Sequence, residues 1–414
     1  MGSSSTRIIF LIILIDMMGF GLILPNLPYY AEELGASPLL VGLLVASFPA
    51  SQMIGAPLIG KFSDKYGRKP ALVITSLGTC LGYIVLGFAG TLSLIFLSRI
   101  VTGVTGGNIS VAQAYISDIT EERDRAKGMG IIGAAFGIGL ITGPAVGGLL
   151  GEYSFALPAF LAAAMSLGYT MAVIFKLPES LTRERRLLIA QRQNHKLNLG
   201  SFFANFRRPR LGTLLNFRFF YGMALAIFTT IFPLYAEYQF HLTEGATGLI
   251  LGYVGVLLVV TQAGLIRVVS NRYSEDRLLF VSCAATFFAM IGWASTDNVW
   301  VLIAILFPFS IASGVFNTMI NTAVSKSVPP EEVGATLGQS TSVDSITRVL
   351  APTLGGYLLG SVGIFAPGLF AALSTGWLIA YGLFRLNLRG QVPSEAIAHR
   401  DFSPRGQMDG RSTS

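Results

Sequence analysis

Leu58-Ile59-Gly60-Lys61-Phe62-Ser63-Asp64-Lys65-Tyr66 has a counterpart 207 residues further on, Leu265-Ile266-Arg267-Val268-Val269-Ser270-Asn271-Arg272-Tyr273. In both places an apolar run ends, a short polar turn carrying bases follows, and a new apolar run begins. Within two residues of the same shift, Pro144, Gly147 and Gly148 fall on Pro352, Gly355 and Gly356, and Pro28, Tyr30, Ala31 and Glu32 fall on Pro233, Tyr235, Ala236 and Glu237. The chain therefore reads as two copies of one unit.

What that unit is follows from composition. Of 414 residues, 52% are hydrophobic and only 12% charged, with a mean hydropathy of +0.63; soluble domains carry roughly a quarter charged residues. A water-soluble globule is excluded. A spanning helix needs about 20 predominantly apolar residues. Twelve such runs are predicted, near 8–30, 38–59, 70–90, 92–114, 127–150, 155–175, 212–236, 246–266, 278–295, 299–323, 333–360 and 363–384. We number them spans 1 to 12. Six per copy makes the repeats parallel, related by an axis along the membrane normal, which places a substrate cavity at their interface near the bilayer midplane.

Charge placement predicts the orientation. With both termini in the cytoplasm, 26 of the 29 Lys and Arg fall in the tails or cytoplasmic connections, and the other three, Arg99, Arg218 and Arg348, lie inside predicted spans. The opposite connections hold only acids: Glu32, Glu33, Glu152, Glu237, Glu244 and Asp297. This is the positive-inside pattern. The net charge of +7 is then a topology signal with some attraction to anionic lipid, and no evidence for nucleic acid. No cleavable signal is expected, because the apolar stretch after Arg7 is too long and lacks a small-residue cleavage site. Met1-Gly2-Ser3-Ser4-Ser5-Thr6 fits a myristoylation pattern but is read as a short polar tail.

The expected organisation is a first six-helix bundle over 1–175, a basic cytoplasmic linker over 176–211, a second bundle over 212–387 and a disordered tail over 388–414. In the linker, Arg183, Arg185, Arg186, Arg192 and Lys196 alternate with Leu187, Leu188, Ile189 and Leu197. That suits an amphipathic segment on the inner membrane surface, and a flexible linker equally well. Cys80 and Cys283 lie in apolar runs and read as packing residues, with no disulfide framework and no metal site. An enzyme is not expected, since His195, His241 and His399 all fall in loops or tails. No ATP-binding motif is present and no cofactor is expected.

Four motifs remain. Gly60-Lys-Phe-Ser-Asp64-Lys-Tyr-Gly67-Arg68-Lys69 joins spans 2 and 3. Gly67 permits a tight turn, the bases hold the loop in the cytosol, and Asp64 can accept from a helix N-terminus or an Arg. In the second copy Asn271 and Ser274 replace the acid and glycine. Span 5 carries Gly139, Gly143, Gly147 and Gly151 on one face, with Pro144 and Gly148 beside them, and small residues at this interval let helices approach closely. Span 1 carries Ile15-Asp16-Met-Met-Gly19-Phe-Gly21-Leu-Ile-Leu-Pro25-Asn26-Leu-Pro28, and span 4 carries Leu97-Ser-Arg99-Ile-Val-Thr-Gly103-Val-Thr-Gly106-Gly107.

Together these runs resemble the major facilitator superfamily, and within it the twelve-helix drug/proton antiporters that include bacterial tetracycline exporters. The resemblance implies an all-α membrane fold of 12 transmembrane helices in two pseudo-symmetric six-helix bundles, acting as a monomer. It implies that the span 2–3 loop latches the cytoplasmic ends of the two halves in the outward-open state. The span 5 motif seals the resting transporter, and the span 4 Arg takes part in proton transfer. Export is then favoured over uptake. The intramembrane acids of spans 3 and 9 and the histidine of span 8 that tetracycline exporters carry are missing here, which makes tetracycline itself a doubtful substrate.

The residues also speak for themselves. An unpaired carboxylate deep in a bilayer costs a few kcal/mol, so Asp16 must pair or be protonated. It is the first candidate for proton coupling, against a structural Asp packed on polar groups. Arg99, permanently charged, is expected to hold an acid such as Asp16 ionised, to orient water, to contact an anionic ligand group, or only to bond backbone carbonyls. Asp344 and Arg348, four apart in span 11, are expected to form an internal ion pair, with Asp344 a second protonatable site or substrate contact. Arg218 is expected to snorkel towards the cytosol. Candidate cavity residues are Asn26, Tyr29, Gln52, Asn108, Gln113, Tyr221, Asn317, Asn321 and Gln339. The expected function is proton-coupled export of small amphipathic or cationic compounds by alternating access. An importer, uniporter or lipid exporter, or a transporter-like membrane sensor, stand as alternatives.

Overall fold

The computed structural model of the protein describes residues 3–120, 125–181, 205–329 and 332–386. The five linker bases named above, residues 1–2 and the tail from 387 lie outside the described residues. Among the described residues all regular structure is helical. This is what hydrocarbon demands, since a backbone without water must satisfy its own hydrogen bonds.

Among the described residues, eleven helical stretches are long and apolar enough to cross a membrane. The remaining expected span, Val333–Ser361, is 29 residues long but studded with Gln339, Asp344, Thr347 and Arg348. Its length serves a spanning helix, and its polarity shows that it does not rely on lipid for its surroundings. Pro38–Tyr66 and Pro209–Phe240 exceed their predicted runs by one or two turns. Ser37, Thr91, Thr243 and Asn298 cap the starts of spans 2, 4, 8 and 10 by accepting from backbone N–H groups.

Three spans are interrupted. Span 1 is Ser3–Ile23 followed by Asn26–Glu33, broken at Pro25. Span 4 is Leu92–Val104 followed by Asn108–Ile119, broken at Gly106-Gly107, where Gln52 Nε2 donates to the Gly106 carbonyl at 2.7 Å. Span 8 contains a π-helical stretch at Thr261–Leu265, between Glu244–Val260 and Ile266–Ser270.

The packing repeats as the sequence does. In the first half span 1 lies against spans 5 and 6, span 4 against 2 and 3, and span 3 against 6. In the second, span 7 lies against 11 and 12, span 10 against 8 and 9, and span 9 against 12. The halves meet along two seams, span 2 on span 11 and span 5 on span 8. Both seams are tightest at the end remote from Ser3: Gly42 abuts Pro352 and Thr353, Gly356 abuts Pro38, and Gly148 abuts Glu244 and Gly248. One apolar core there draws Ala31, Ala36 and Val41 from the first half and Phe228, Phe232 and Trp293 from the second. The other cores lie within a single half.

Candidate functional site

In the first half, the break in span 4 sets Asn108 at the start of a helix and beside Asp16. Asn108 Nδ2 donates to Asp16 Oδ1 at 3.1 Å and lies 3.1 Å from the Tyr169 hydroxyl, which itself donates to Asp16 Oδ1 at 3.4 Å. Thr75 donates to Asn108 Oδ1 and fixes the amide's orientation. Every described partner of Asp16 is therefore neutral. Arg99 is 3% exposed, stands over the Tyr83 ring at 5.8 Å and donates weakly to Ser98 at 3.4 Å, and its Nε has no partner. Tyr83 also borders span 1, since a Cβ at Gly19 would lie 3.3 Å from its hydroxyl. Among the described residues no ion pair joins Asp16 to Arg99, one of the roles open to Arg99, and the guanidinium faces the Tyr83 ring of span 3 instead.

The second half carries the ion pair. Arg218 Nη2 of span 7 binds the Asp344 carboxylate of span 11, and Arg218 Nη1 donates to Asn317 Oδ1 of span 10 at 3.1 Å. This corrects two expectations. Asp344 pairs across helices with Arg218, with no ion pair to Arg348 among the described residues, and Arg218 points to a partner instead of snorkelling. Three helices converge here, and a cross-helix partner satisfies both charges where the neighbour on the same face does not.

At the membrane surface Arg68 fills a cage: its Nη1 meets Asp64 at 2.6 Å and Ser63 at 3.0 Å, and its Nε meets Asp118 at 3.1 Å. The Glu179 carboxylate accepts from the Arg68 and Lys69 backbone N–H groups, and Lys69 Nζ donates to the Ile174 carbonyl at 2.7 Å. Gly67, with φ 116, makes the turn. All these partners precede residue 180 and so belong to the first half. The glycine stripe of span 5 packs on span 1: Cβ atoms at Gly139, Gly143 and Gly147 would strike the backbone of Leu14, Gly21 and Leu22, and one at Gly151 would strike Asn26. Gly148 and the Pro144 carbonyl face the other way, onto span 8.

A family model of the Major Facilitator Superfamily matches residues 9–352 and again 268–406. The chain belongs to the Major Facilitator Superfamily. It is 30% identical over 390 residues to the class H tetracycline resistance protein of Pasteurella multocida, covering 93% of this chain and 95% of that one. It is 28% identical over 387 residues to multidrug resistance protein 2 of Bacillus subtilis, covering 91% and 94%. Among solved structures it is similar to the nucleoside transporter NupG, with a TM-score of 0.75, 16% identity and 92% and 100% coverage. It is also similar to the human organic anion transporter MFSD10, with a TM-score of 0.68, 21% identity and 94% and 100% coverage. The chain is thus an integral multi-pass membrane transporter of small molecules, not an enzyme.

Within this superfamily fold the remaining candidates are scattered. Asn26 Nδ2 donates to the Leu22 and Gly147 carbonyls, each at 2.8 Å, tying span 1 to span 5. Tyr29 crosses the seam, its hydroxyl 2.8 Å from Thr247 Oγ1 and 3.1 Å from the Leu242 carbonyl. Tyr221 is buried in the second half, stacked on Phe316 and bonded to Thr286 and Ser313. Gln339 accepts from Asn205 at 2.6 Å. Gln113 and Asn321 are exposed, and Asn321 lies one turn from Asn317. A cavity of about 310 Å³ bounded by Ser270, Thr318, Thr322 and Lys326 shares no residue with either charge cluster. Sequence reasoning missed Tyr83 and Tyr169, whose positions inside apolar spans were the available signal. It also missed the seam bonds Tyr238 to Glu32 and Thr243 to Glu152, which join positions of the two halves that no spacing relates.

Proposed function

We propose that the protein is a proton-coupled antiporter that exports small amphipathic compounds across a bacterial inner membrane, working as a monomer in lipid with both termini cytoplasmic. The reading takes residues 1–175 and 212–387 as the two moving bundles and 176–211 as the cytoplasmic linker. The closed seams at the end remote from Ser3 then support an inward-facing state.

One observation carries the coupling: Asp16 lies well inside span 1, and its described partners are all neutral. Such a carboxyl has no counter-ion to fix its charge, which suits a group that exchanges a proton when water reaches it. In the cycle, the inward-open protein exchanges the Asp16 proton for substrate, rocks outward, releases the substrate and is reprotonated from outside. Arg99, Asp344 and Arg348 set the field around that exchange. The proposed roles of the loop at Gly60, Asp64, Gly67, Arg68 and Lys69 and of the glycine motif at Gly139, Gly143, Pro144, Gly147 and Gly148 are gating and sealing.

The test is efflux from vesicles under an imposed pH gradient. Asp16→Asn is expected to abolish gradient-driven efflux while the protein stays folded; undiminished driven transport removes Asp16 from the mechanism. Proton-driven accumulation in the opposite direction would make the protein an importer, and gradient-independent flux a uniporter.

A further inference from the structure

Arg348 stands fifteen residues into a 29-residue helix that begins at Val333. That is about 22 Å from the helix start and about 20 Å from its other end, near mid-membrane and beyond the reach of a snorkelling side chain. Yet Arg348 is exposed, and among the described residues nothing pairs with it. A guanidinium cannot lie bare in hydrocarbon at that depth. Its surroundings must be aqueous.

Helix geometry locates that water. At 100° per residue, the face of span 11 packed on span 7 runs through Thr347, Ala351 and Gly355, since Thr347 meets Gly222 and Gly355 meets Ile231. The face packed on span 2 runs through Pro352, Thr353 and Gly356. Arg348 projects between them. Towards Val333 the span 2 face continues as Gly338, Thr341 and Ser342, all exposed, where the halves have parted. The lipid side is marked instead by Leu350 and Tyr357, which are 47% and 51% exposed.

We infer that Arg348 lines the substrate pathway and binds an anionic group of the transported molecule, a carboxylate, sulfonate or phosphate carried by an amphipathic compound. The inference rests on the export reading above and names its substrate class. Charge balance supports it: the mid-span charges are Asp16, Asp344, Arg99, Arg218 and Arg348, a surplus of one positive charge even with both acids ionised. Asp344 is engaged by Arg218, and Arg218 Nε is itself buried without a partner. A purely cationic compound meets repulsion here, whereas an acid meets a planar fork matched to it. Asp16, in the other half, stays free to trade its proton for the donor or cationic end of the same molecule.

The experiment measures binding to the purified full chain by equilibrium dialysis, using acids paired with their own esters: salicylate and methyl salicylate, fluorescein and its methyl ester, norfloxacin and its ethyl ester. The expected result is that at least one acid binds more tightly than its ester. Arg348→Gln then weakens that acid at least tenfold and leaves its ester unchanged, and Arg348→Lys recovers part of the preference. If no acid outbinds its ester, or the preference survives Arg348→Gln, the inference is overturned. Because binding is read without any gradient, a failure of proton-driven efflux bears on the coupling alone.

Discussion

The two halves share one helix arrangement and solve the problem of intramembrane charge in opposite ways. The first half keeps its acid and its base apart: Asp16 is held by an amide and a phenol, and Arg99 is left over the Tyr83 ring. The second half joins Arg218 to Asp344 across two helices and adds Asn317 from a third. At the membrane surface it is the first half that holds the tighter ion pair. The first half buries Arg68 among Asp64, Asp118 and Ser63. The second half, whose loop has lost the acid and glycine, instead pairs a half-exposed Arg210 with Asp276. A duplicated scaffold thus leaves the charge chemistry free to diverge. The half with the unpaired carboxyl is the one suited to exchanging a proton, and the paired half is suited to staying put.

The sharpest way to break this contrast is to remove one carboxylate from each half. Asp344→Asn strips a largely buried guanidinium of its counter-ion, and losing one partner of a buried pair costs about 4 kcal/mol. Asp16→Asn keeps an oxygen for Asn108 and Tyr169 and loses no ion pair, so its cost is expected below about 1 kcal/mol. Thermal unfolding of the solubilised protein reads the difference. Replacing both partners, Arg218→Met with Asp344→Leu, should recover most of the loss, because an apolar pair avoids the desolvation penalty. Equal destabilisation by the two single substitutions would show that the acids are held alike.

A second, smaller contrast lies at the surface. The Arg68 side chain is 8% exposed and that of Arg210 is 42% exposed. Arg68→Ala is expected to cost about 3 kcal/mol as a broken buried network, and Arg210→Ala about 1 kcal/mol as a solvent-screened pair. Their order in an unfolding series is the result to check. The reverse order would mean that the second loop, despite Asn271 and Ser274, bears as much of the structure as the first.

The fold was legible because hydropathy, base placement and the repeat are each set by the bilayer and act over many residues at once. The superfamily motifs added the expected gate and seal. Contacts between side chains were less legible. The i to i+4 spacing of Asp344 and Arg348 pointed to a pair within one helix, but Arg218 arrives from span 7 at the same depth, and sequence carries no information on that depth match. Likewise a pairing of Asp16 with Arg99, one of the roles open to Arg99, was reasonable on charge alone. It fails because the broken span 4 brings Asn108 forward and span 3 presents Tyr83, neutral residues that a search for charges passes over. Tyr29 and Asn26 were polar enough to be cavity candidates, and their hydrogen bonds turn out to join helices.

Tyr29 offers the finest test of how the halves meet. Its hydroxyl bonds two groups of the other half, donating to the Leu242 carbonyl and sharing a hydrogen bond with Thr247 Oγ1. Tyr29→Phe keeps the ring and loses those bonds, which are worth about 1 kcal/mol in total. Because the bonds cross the seam and not the interior of a bundle, the loss falls on the closed state and leaves each half intact. A shift of that size changes the ratio of closed to open molecules by roughly fivefold. Spin labels at the exposed positions Glu33 and His241, on opposite sides of the seam, should then report a larger fraction of long distances, with little change in unfolding temperature. A lowered unfolding temperature with an unmoved distance distribution would instead place Tyr29 within the folding core, and the seam would have to be held by its other contacts, the glycines at Gly42, Gly148 and Gly356 and the bonds of Tyr238 to Glu32 and Thr243 to Glu152.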